Sequence, residues 1–104
     1  MTRESPLDAL ADLTRRRVFE RLKSGPMSVG LLAQGMKEFS RPAISYHLKI
    51  LKEAGLVREH REGRKRLYEI DPEGLELLRH WLNQFKVGAG ASSGQDRSKS
   101  NTEK

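Results

Sequence analysis

The chain has 104 residues and no cysteine, and its 20 lysine and arginine residues against 14 aspartate and glutamate residues give a formal net charge of +6. This length fits one domain, and the lack of cysteine excludes disulfides, thiolate metal sites and a cysteine nucleophile. No apolar run approaches the ~20 residues that a membrane helix needs, and the N-terminus lacks the apolar core of a signal peptide. We therefore expect a cytoplasmic protein that does not enter the membrane.

Three short helices are predicted in the first 36 residues, where apolar residues recur at helical spacing. Each of them follows a residue that can cap a helix N-terminus, namely Ser5, Asp12 or Thr14, and Ser28. The apolar sides of the first two helices consist of Leu7, Leu10, Leu13, Val18, Phe19 and Leu22. The side chains expected to point inward from the third helix are Leu31, Leu32 and Met36. Gly30 and Gly35 weaken this third helix by up to ~1 kcal/mol each relative to alanine.

Residues 41–54 are predicted to form an amphipathic fourth helix. Ser40 can cap it, and Pro42 lies in its first turn, where the missing N–H does no harm. One narrow apolar stripe at i, i+4 and i+7 faces the core and consists of Ile44, Leu48 and Leu51. Gly55 ends the helix, because glycine best tolerates the left-handed conformation found there.

After this helix the pattern changes from helical spacing to alternation. Residues 57–61 and 66–70 alternate as strands do, and the EGRK segment between them contains a turn glycine, which predicts a β-hairpin. A last helix is expected over 72–85, and residues 88–104, rich in Gly, Ser and charge, are expected to be disordered. The folded domain, residues 1–87, is therefore mainly α with a β-hairpin wing, in the order α-α-α-α-β-β-α. Two helices joined by a short turn and followed by a hairpin make a winged helix-turn-helix.

Most of the excess positive charge lies in one quarter of the chain. Residues 41–66 carry eight basic and three acidic side chains, a net charge of +5. Such local concentration is typical of a protein that binds a polyanion. A solvated surface on a basic protein is the alternative, and charge alone does not separate the two.

The outer face of the fourth helix suits the major groove of DNA, which is ~12 Å wide and admits a helix whose N-terminal residues reach the base edges. Arg41 can bond O6 and N7 of guanine together, and Ser45 is short enough for a close approach of the backbone. Tyr46 can contact a thymine methyl, a base or a phosphate, and Lys49 suits a phosphate. His47 lies nearer the core edge, where it either bonds a phosphate or holds a contact inside the protein.

The wing, residues 57–70, adds a second basic element. Its tip carries four cationic side chains within six residues, Arg61, Arg64, Lys65 and Arg66. Such a tip can straddle a DNA backbone or enter a minor groove, whereas a charged edge that prevents aggregation is the alternative for a lone hairpin. A basic hairpin adjoining a helix with a groove-shaped face favours nucleic-acid binding.

The last helix predicts a dimer. Its apolar residues cover an arc of about 160°, more than the ~100° that a surface helix commonly needs. The alternative is that Leu77 and Trp81 only cover the core of their own subunit. The predicted interface consists of Leu7, Leu10, Leu75, Leu78, Trp81, Leu82 and Phe85. A twofold dimer would place its two recognition helices, the two copies of residues 41–54, one DNA turn apart, ~34 Å, and so predicts a palindromic site.

Two segments, ALADLTRRRVFERLKSGPMSVGLLA and SRPAISYHLKILKEAGLVREHREGRKRLYEID, resemble the ArsR-type winged-helix transcriptional repressors of bacteria and archaea. The resemblance spans about residues 7–85, and it implies a homodimer that binds a palindromic operator and represses transcription. The operator-reading positions that it implies are Ser40, Arg41, Ser45, Tyr46 and His47. The backbone or minor-groove contacts that it implies in the wing are Arg61, Arg64 and Lys65.

The chain departs from this family where many relatives sense metals. The cysteine pair that such relatives carry in the support helix, here residues 28–36, is absent. Asp71, Glu76 and His80 offer only one histidine on or near the last helix, so we expect no metal site and no cofactor. A winged-helix module that docks proteins without specific DNA binding remains the alternative. No nucleophile–base pair or phosphate loop supports an enzyme. The sequence leaves the operator, the role of the tail and the existence of an inducer or partner protein undetermined.

Overall fold

A computed structural model describes residues 5–85, and the predicted disordered tail lies outside these residues. The elements are α1 (Pro6–Ala11), α2 (Leu13–Arg21), a 3₁₀ turn (Leu22–Ser24), α3 (Val29–Gly35), α4 (Arg41–Glu53), β1 (Val57–Glu62), β2 (Lys65–Ile70) and α5 (Pro72–Leu82). The predicted fold class and element order are confirmed. The strands each extend one residue further toward the hairpin tip than predicted, and α5 ends three residues earlier.

Each α-helix begins at a residue whose side chain accepts a hydrogen bond from a backbone N–H of the first turn, which is the contact that makes such residues good N-caps. The caps are Ser5, Asp12, Ser28, Ser40 and Asp71. Of the two candidates for α2, Asp12 is the cap, and its Oδ1 accepts from the N–H of Arg15 at 2.9 Å. These caps fix where each helix starts.

The core lies between α2, α3, α4 and the start of the hairpin. The stripe predicted for α4 is confirmed, because Ile44, Leu48 and Leu51 are fully buried. The inward orientation predicted for Leu31 is wrong, since its side chain is 46% exposed while Leu32 is fully buried. A helix of only seven residues offers the core one narrow stripe, and residues adjacent in sequence lie about 100° apart around it.

The hairpin is antiparallel and pairs from Val57 with Ile70 to Glu62 with Lys65. Its tip turns at Gly63, whose φ of +65° favours glycine. A further bridge, which the sequence did not predict, ties the wing to the segment before α3. Met27 and Tyr68 exchange backbone hydrogen bonds, each of 2.9 Å. The wing is therefore held against the helical body at its middle and not only through its connection to α4.

Helix α5 packs its first turn directly against the backbone that leads from α4 into β1. Gly74 is buried, and a Cβ added to it would lie 3.0 Å from the Cα of Leu56 and closer still to the carbonyl oxygen of Gly55. The N–H of Asp71 donates to the carbonyl of Leu56 at 2.9 Å. These contacts set the direction in which α5 leaves the domain.

Candidate nucleic-acid interface

Because one side of α4 is buried in the core, its opposite side faces solvent. Five of the predicted DNA-contacting residues of this region are exposed there, namely Ser40, Arg41, Ser45, Tyr46 and Lys49. Tyr46 is 58% exposed, a large fraction for an aromatic residue in the middle of a helix. The helix thus presents short polar, aromatic and cationic groups together, which is the chemistry needed at base edges and phosphates.

Arg41 connects the two helices of the helix-turn-helix. A Cβ built on Gly30 would lie 3.2 Å from Nη2 of Arg41, so the guanidinium lies over the first turn of α3. Gly30, which looked like a simple weakness of α3, leaves the space that Arg41 occupies. This contact could not be predicted from the sequence, because residues 30 and 41 lie on different helices.

His47 contacts Arg15 of α2. Nε of Arg15 donates to Nδ1 of His47 at 3.3 Å, and Nη1 of Arg15 donates to the carbonyl of Ala9 at 3.3 Å. Burial lowers the pKa of His47 below 6.5, the charge of Arg15 lowers it further, and the carboxylate of Asp12 acts in the opposite direction. A neutral imidazole that accepts at Nδ1 carries its proton on Nε2.

Of the two roles left open for His47, the structure therefore contains the internal contact. A hydrogen bond from its Nε2 to a DNA phosphate stays a prediction. Arg15 itself is 6% exposed, and the sequence did not distinguish it from its neighbours in the run of arginines at 15–17. No local pattern would have done so, because its burial depends on α1 and α4 folding over it.

The basic wing divides into paired and unpaired cations. Nε of Arg66 lies 2.8 Å from Oε2 of Glu59, and Nζ of Lys52 lies 3.1 Å from Oε1 of the same residue, so Glu59 joins the wing to α4. Within residues 5–85, the predicted wing contacts that form no ion pair are Arg61, Arg64 and Lys65. These three side chains can meet phosphates without first breaking a bridge, whereas Arg66 must leave Glu59.

The cross-strand register adds to the anion-binding character of the tip. Arg61 lies directly opposite Arg66. Like charges in facing positions repel each other, and Glu59 offsets this repulsion only on the Arg66 side. The hairpin tip is therefore electrostatically suited to a phosphate backbone.

A separate apolar surface covers α5 and the adjoining side of α1. Most of the predicted interface residues are exposed there, namely Leu7, Leu75, Trp81, Leu82 and Phe85, whereas Leu10 and Leu78 are partly buried against the core. Leu77 is 61% exposed, so it does not cover the core of its own subunit. A groove of about 250 Å³ runs between the two helices beside Leu7, Leu78 and Trp81.

Two further properties of residues 5–85 bear on other kinds of function. Within residues 5–85 no three His, Asp or Glu residues come together as a set that could hold a metal ion, and this includes Asp71, Glu76 and His80. No helix of that part of the chain has the length and apolar character that crossing a bilayer requires.

Comparison with known proteins agrees with this geometry. A model described as a helix-turn-helix domain matches residues 10–60. The HTH-type transcriptional regulator Rv2034 of Mycobacterium tuberculosis is 52% identical over 77 residues, which cover 74% of this chain and 71% of that protein. The transcriptional repressor SdpR of Bacillus subtilis is 36% identical over 77 residues, which cover 74% of this chain and 84% of that protein.

Solved structures also match this chain to transcriptional regulators. An ArsR-like transcriptional regulator from a Rhodococcus species superposes with a TM-score of 0.69 at 31% identity, over 75% of this chain and 73% of that one. The chain belongs to the ArsR family of winged helix-turn-helix transcriptional regulators. This ArsR-family protein is a DNA-binding regulator, and the regulatory names of its relatives agree with the prediction that it is not an enzyme. In the family's terms, α3 lies in the position of the support helix and α4 in that of the recognition helix.

Proposed function

We propose that the protein is a homodimeric repressor that binds a palindromic operator through α4 and the wing. The observation that carries this proposal is the placement of two unlike surfaces on different elements. The basic surface lies on α4 and the hairpin, and the exposed apolar surface lies on α1 and α5. One chain can therefore bind DNA and a second copy of itself at the same time.

The apolar surface supports the dimer. Monomeric proteins rarely expose contiguous apolar patches of more than a few hundred Å², and a twofold contact would place the same groove and the same leucines against each other. Trp81 and Phe85 already pack edge to face, with ring centroids 4.9 Å apart, which gives a rigid aromatic centre for such an interface. Two recognition helices related by this twofold axis would read two half-sites of opposite orientation.

The α4 surface supports sequence reading. Arg41 and Tyr46 would contact base edges, Lys49 and the unpaired wing cations would contact phosphates, and Ser40 and Ser45 would allow close approach. SdpR is named a transcriptional repressor, and a dimer bound across a promoter would exclude the polymerase. The protein would act in the cytoplasm on chromosomal DNA.

Selection of bound sequences from random duplexes, followed by a salt titration of the best duplex, tests this proposal. We expect a motif with twofold symmetry and an affinity that falls steeply as salt is raised, because each phosphate contact releases counterions. Recovery of no motif, together with a flat salt response, would instead favour the protein-docking module.

A charge placed in the apolar surface tests the dimer separately. Leu77→Glu should give monomers in sedimentation equilibrium, with the far-ultraviolet circular dichroism unchanged, because Leu77 is exposed in the single chain. Glu76→Gln changes the adjacent, exposed position and serves as the control. A Leu77→Glu protein that stays dimeric would refute the assignment of this surface.

A further inference from the structure

A polar groove lies between α2, the 3₁₀ turn and α3, on elements that carry none of the predicted DNA contacts. Its volume is about 340 Å³, within the range of small-molecule sites. The side chains that line it include Arg17, Glu20, Arg21, Lys23 and Ser24. Three of these are cationic and one is anionic, so the groove has a net positive charge.

Arg21 occupies an unusual position in this groove. Its Nε is shielded from solvent and has no hydrogen-bond acceptor among residues 5–85. Buried donors without a partner are rare in folded proteins. The guanidinium lies across Gly35, whose missing Cβ leaves room for it. The end of α3 is thus shaped to hold a guanidinium at the wall of the groove.

We propose that this groove binds a small free anion that carries a phosphate group. A phosphoryl group has a charge of about −1.5 to −2 at neutral pH and several strong acceptor oxygens, which matches the groove's surplus of two positive charges. Arg21 and Arg17 would bind these oxygens with charge-assisted hydrogen bonds, and the Ser24 hydroxyl would add a neutral donor. A concave site of this size suits a compact anion better than a continuous DNA strand, and the Glu20 carboxylate at its wall offsets one of the three cations.

The groove is linked to the recognition helix through Arg17. Nη2 of Arg17 lies 3.1 Å from Oε2 of Glu38, and its guanidinium lies 5.7 Å from the ring centroid of Phe39. Both partners belong to the connection between α3 and α4. An anion in the groove would compete with Glu38 for Arg17 and so loosen the connection that orients α4. This regulatory step rests on the proposed function, whereas the binding of the anion does not.

Titration of the full-length, ¹⁵N-labelled protein with inorganic phosphate and with pyrophosphate tests the site. Sodium chloride at matched ionic strength is the reference. We expect saturable chemical-shift changes of the backbone amides of Gly35 and Ser24 in the unaltered protein. The control variant Arg79→Gln, which removes one positive charge on α5, should show the same changes. Affinity should fall about tenfold or more in Arg21→Gln, because a charged donor is lost.

Gly35→Ala provides a second test in which no charge is lost. Its added methyl group would displace the flexible guanidinium of Arg21 while favouring the helix, so weaker phosphate binding by a stably folded protein supports the site. Shifts that equal those in chloride, or that are unchanged in both groove variants, would overturn the proposal. The proposal would also be overturned if a duplex of random sequence shifted the same amides in a manner that depends on Arg21 while phosphate produced no such shifts. The occupant of the groove would then be the DNA backbone.

Discussion

Replacement of Gly74 by alanine should destabilise the protein, although alanine is the better helix former. Gly74 lies in the first turn of α5 and packs against the backbone of Gly55 and Leu56. A Cβ at this position would lie 3.0 Å from the Cα of Leu56, 3.1 Å from the carbonyl carbon of Gly55 and well inside the contact distance of the Gly55 oxygen. All three are backbone atoms, so no side-chain rotation can relieve the overlap.

The size of the effect follows from two opposing contributions. Alanine in place of glycine favours a helix by up to about 1 kcal/mol, whereas an extra methyl group in a packed contact typically costs about 1–3 kcal/mol. The overlap with a carbonyl oxygen places Gly74→Ala toward the upper part of that cost, and we expect a net destabilisation of about 1–2 kcal/mol. For a domain of this size that corresponds to a fall in Tm of about 4–8 °C per kcal/mol.

Urea unfolding followed by circular dichroism at one fixed protein concentration measures this change, because dimerisation would make stability depend on concentration. Gly35→Ala is the matched control, since the atoms that a Cβ would meet there belong to the flexible end of Arg21. We expect Gly35→Ala to be neutral or stabilising by up to about 1 kcal/mol. Equal or greater stability of Gly74→Ala than of the unaltered protein would refute the close approach of α5 to the turn before β1.

Three further predictions concern α4. Arg41→Ala should weaken binding to the selected operator by about 1–3 kcal/mol and relax discrimination at one base per half-site; an equal loss on random DNA would show a phosphate contact instead. Because the folded state lowers the pKa of His47, its neutral form adds stability above pH 6.5, and that stability is lost as the pH falls through the folded pKa. Urea midpoints should therefore fall more steeply on acidification in the unaltered protein than in His47→Gln, and parallel profiles would count against this linkage. Leu48→Ala should cost about 2–5 kcal/mol of stability, whereas Lys49→Ala should change stability by no more than about 0.5 kcal/mol and lower the salt slope of DNA binding by about 1. A loss of stability in Lys49→Ala similar to that in Leu48→Ala would contradict the orientation of the helix.

The sequence predicted those features that depend on residues close together in the chain. Ser40 caps α4 because its hydroxyl reaches the N–H of Ala43 three residues later, at 3.2 Å, and such a contact can be anticipated from residue type and spacing alone. The same holds for the apolar stripe of α4 and for the turn at Gly63. The inward orientation predicted for Leu31 is wrong because a hydrophobic residue on a short helix does not indicate which side of that helix packs against the core.

The candidate site was predicted in its outline and not in its contacts. The grouping of basic residues in 41–66 indicated the surface, because charge density is a property of the chain. The partners of those residues were not predictable. His47 meets Arg15, 32 residues earlier, and Arg66 meets Glu59 across the hairpin. Which cations stay unpaired therefore depends on how the elements pack.

The sequence by itself determined the starts of the helices other than α2, the stripe that buries α4 and the basic character of the wing, because each of these follows from residue type, periodicity or local hydrogen bonding. Only the tertiary structure decided that Arg41 lies over Gly30, that Arg21 lies over Gly35 and that Met27 pairs with Tyr68. Each of those contacts joins separate elements, and their geometry is set by the packing of the whole core. No local pattern in the chain specifies it.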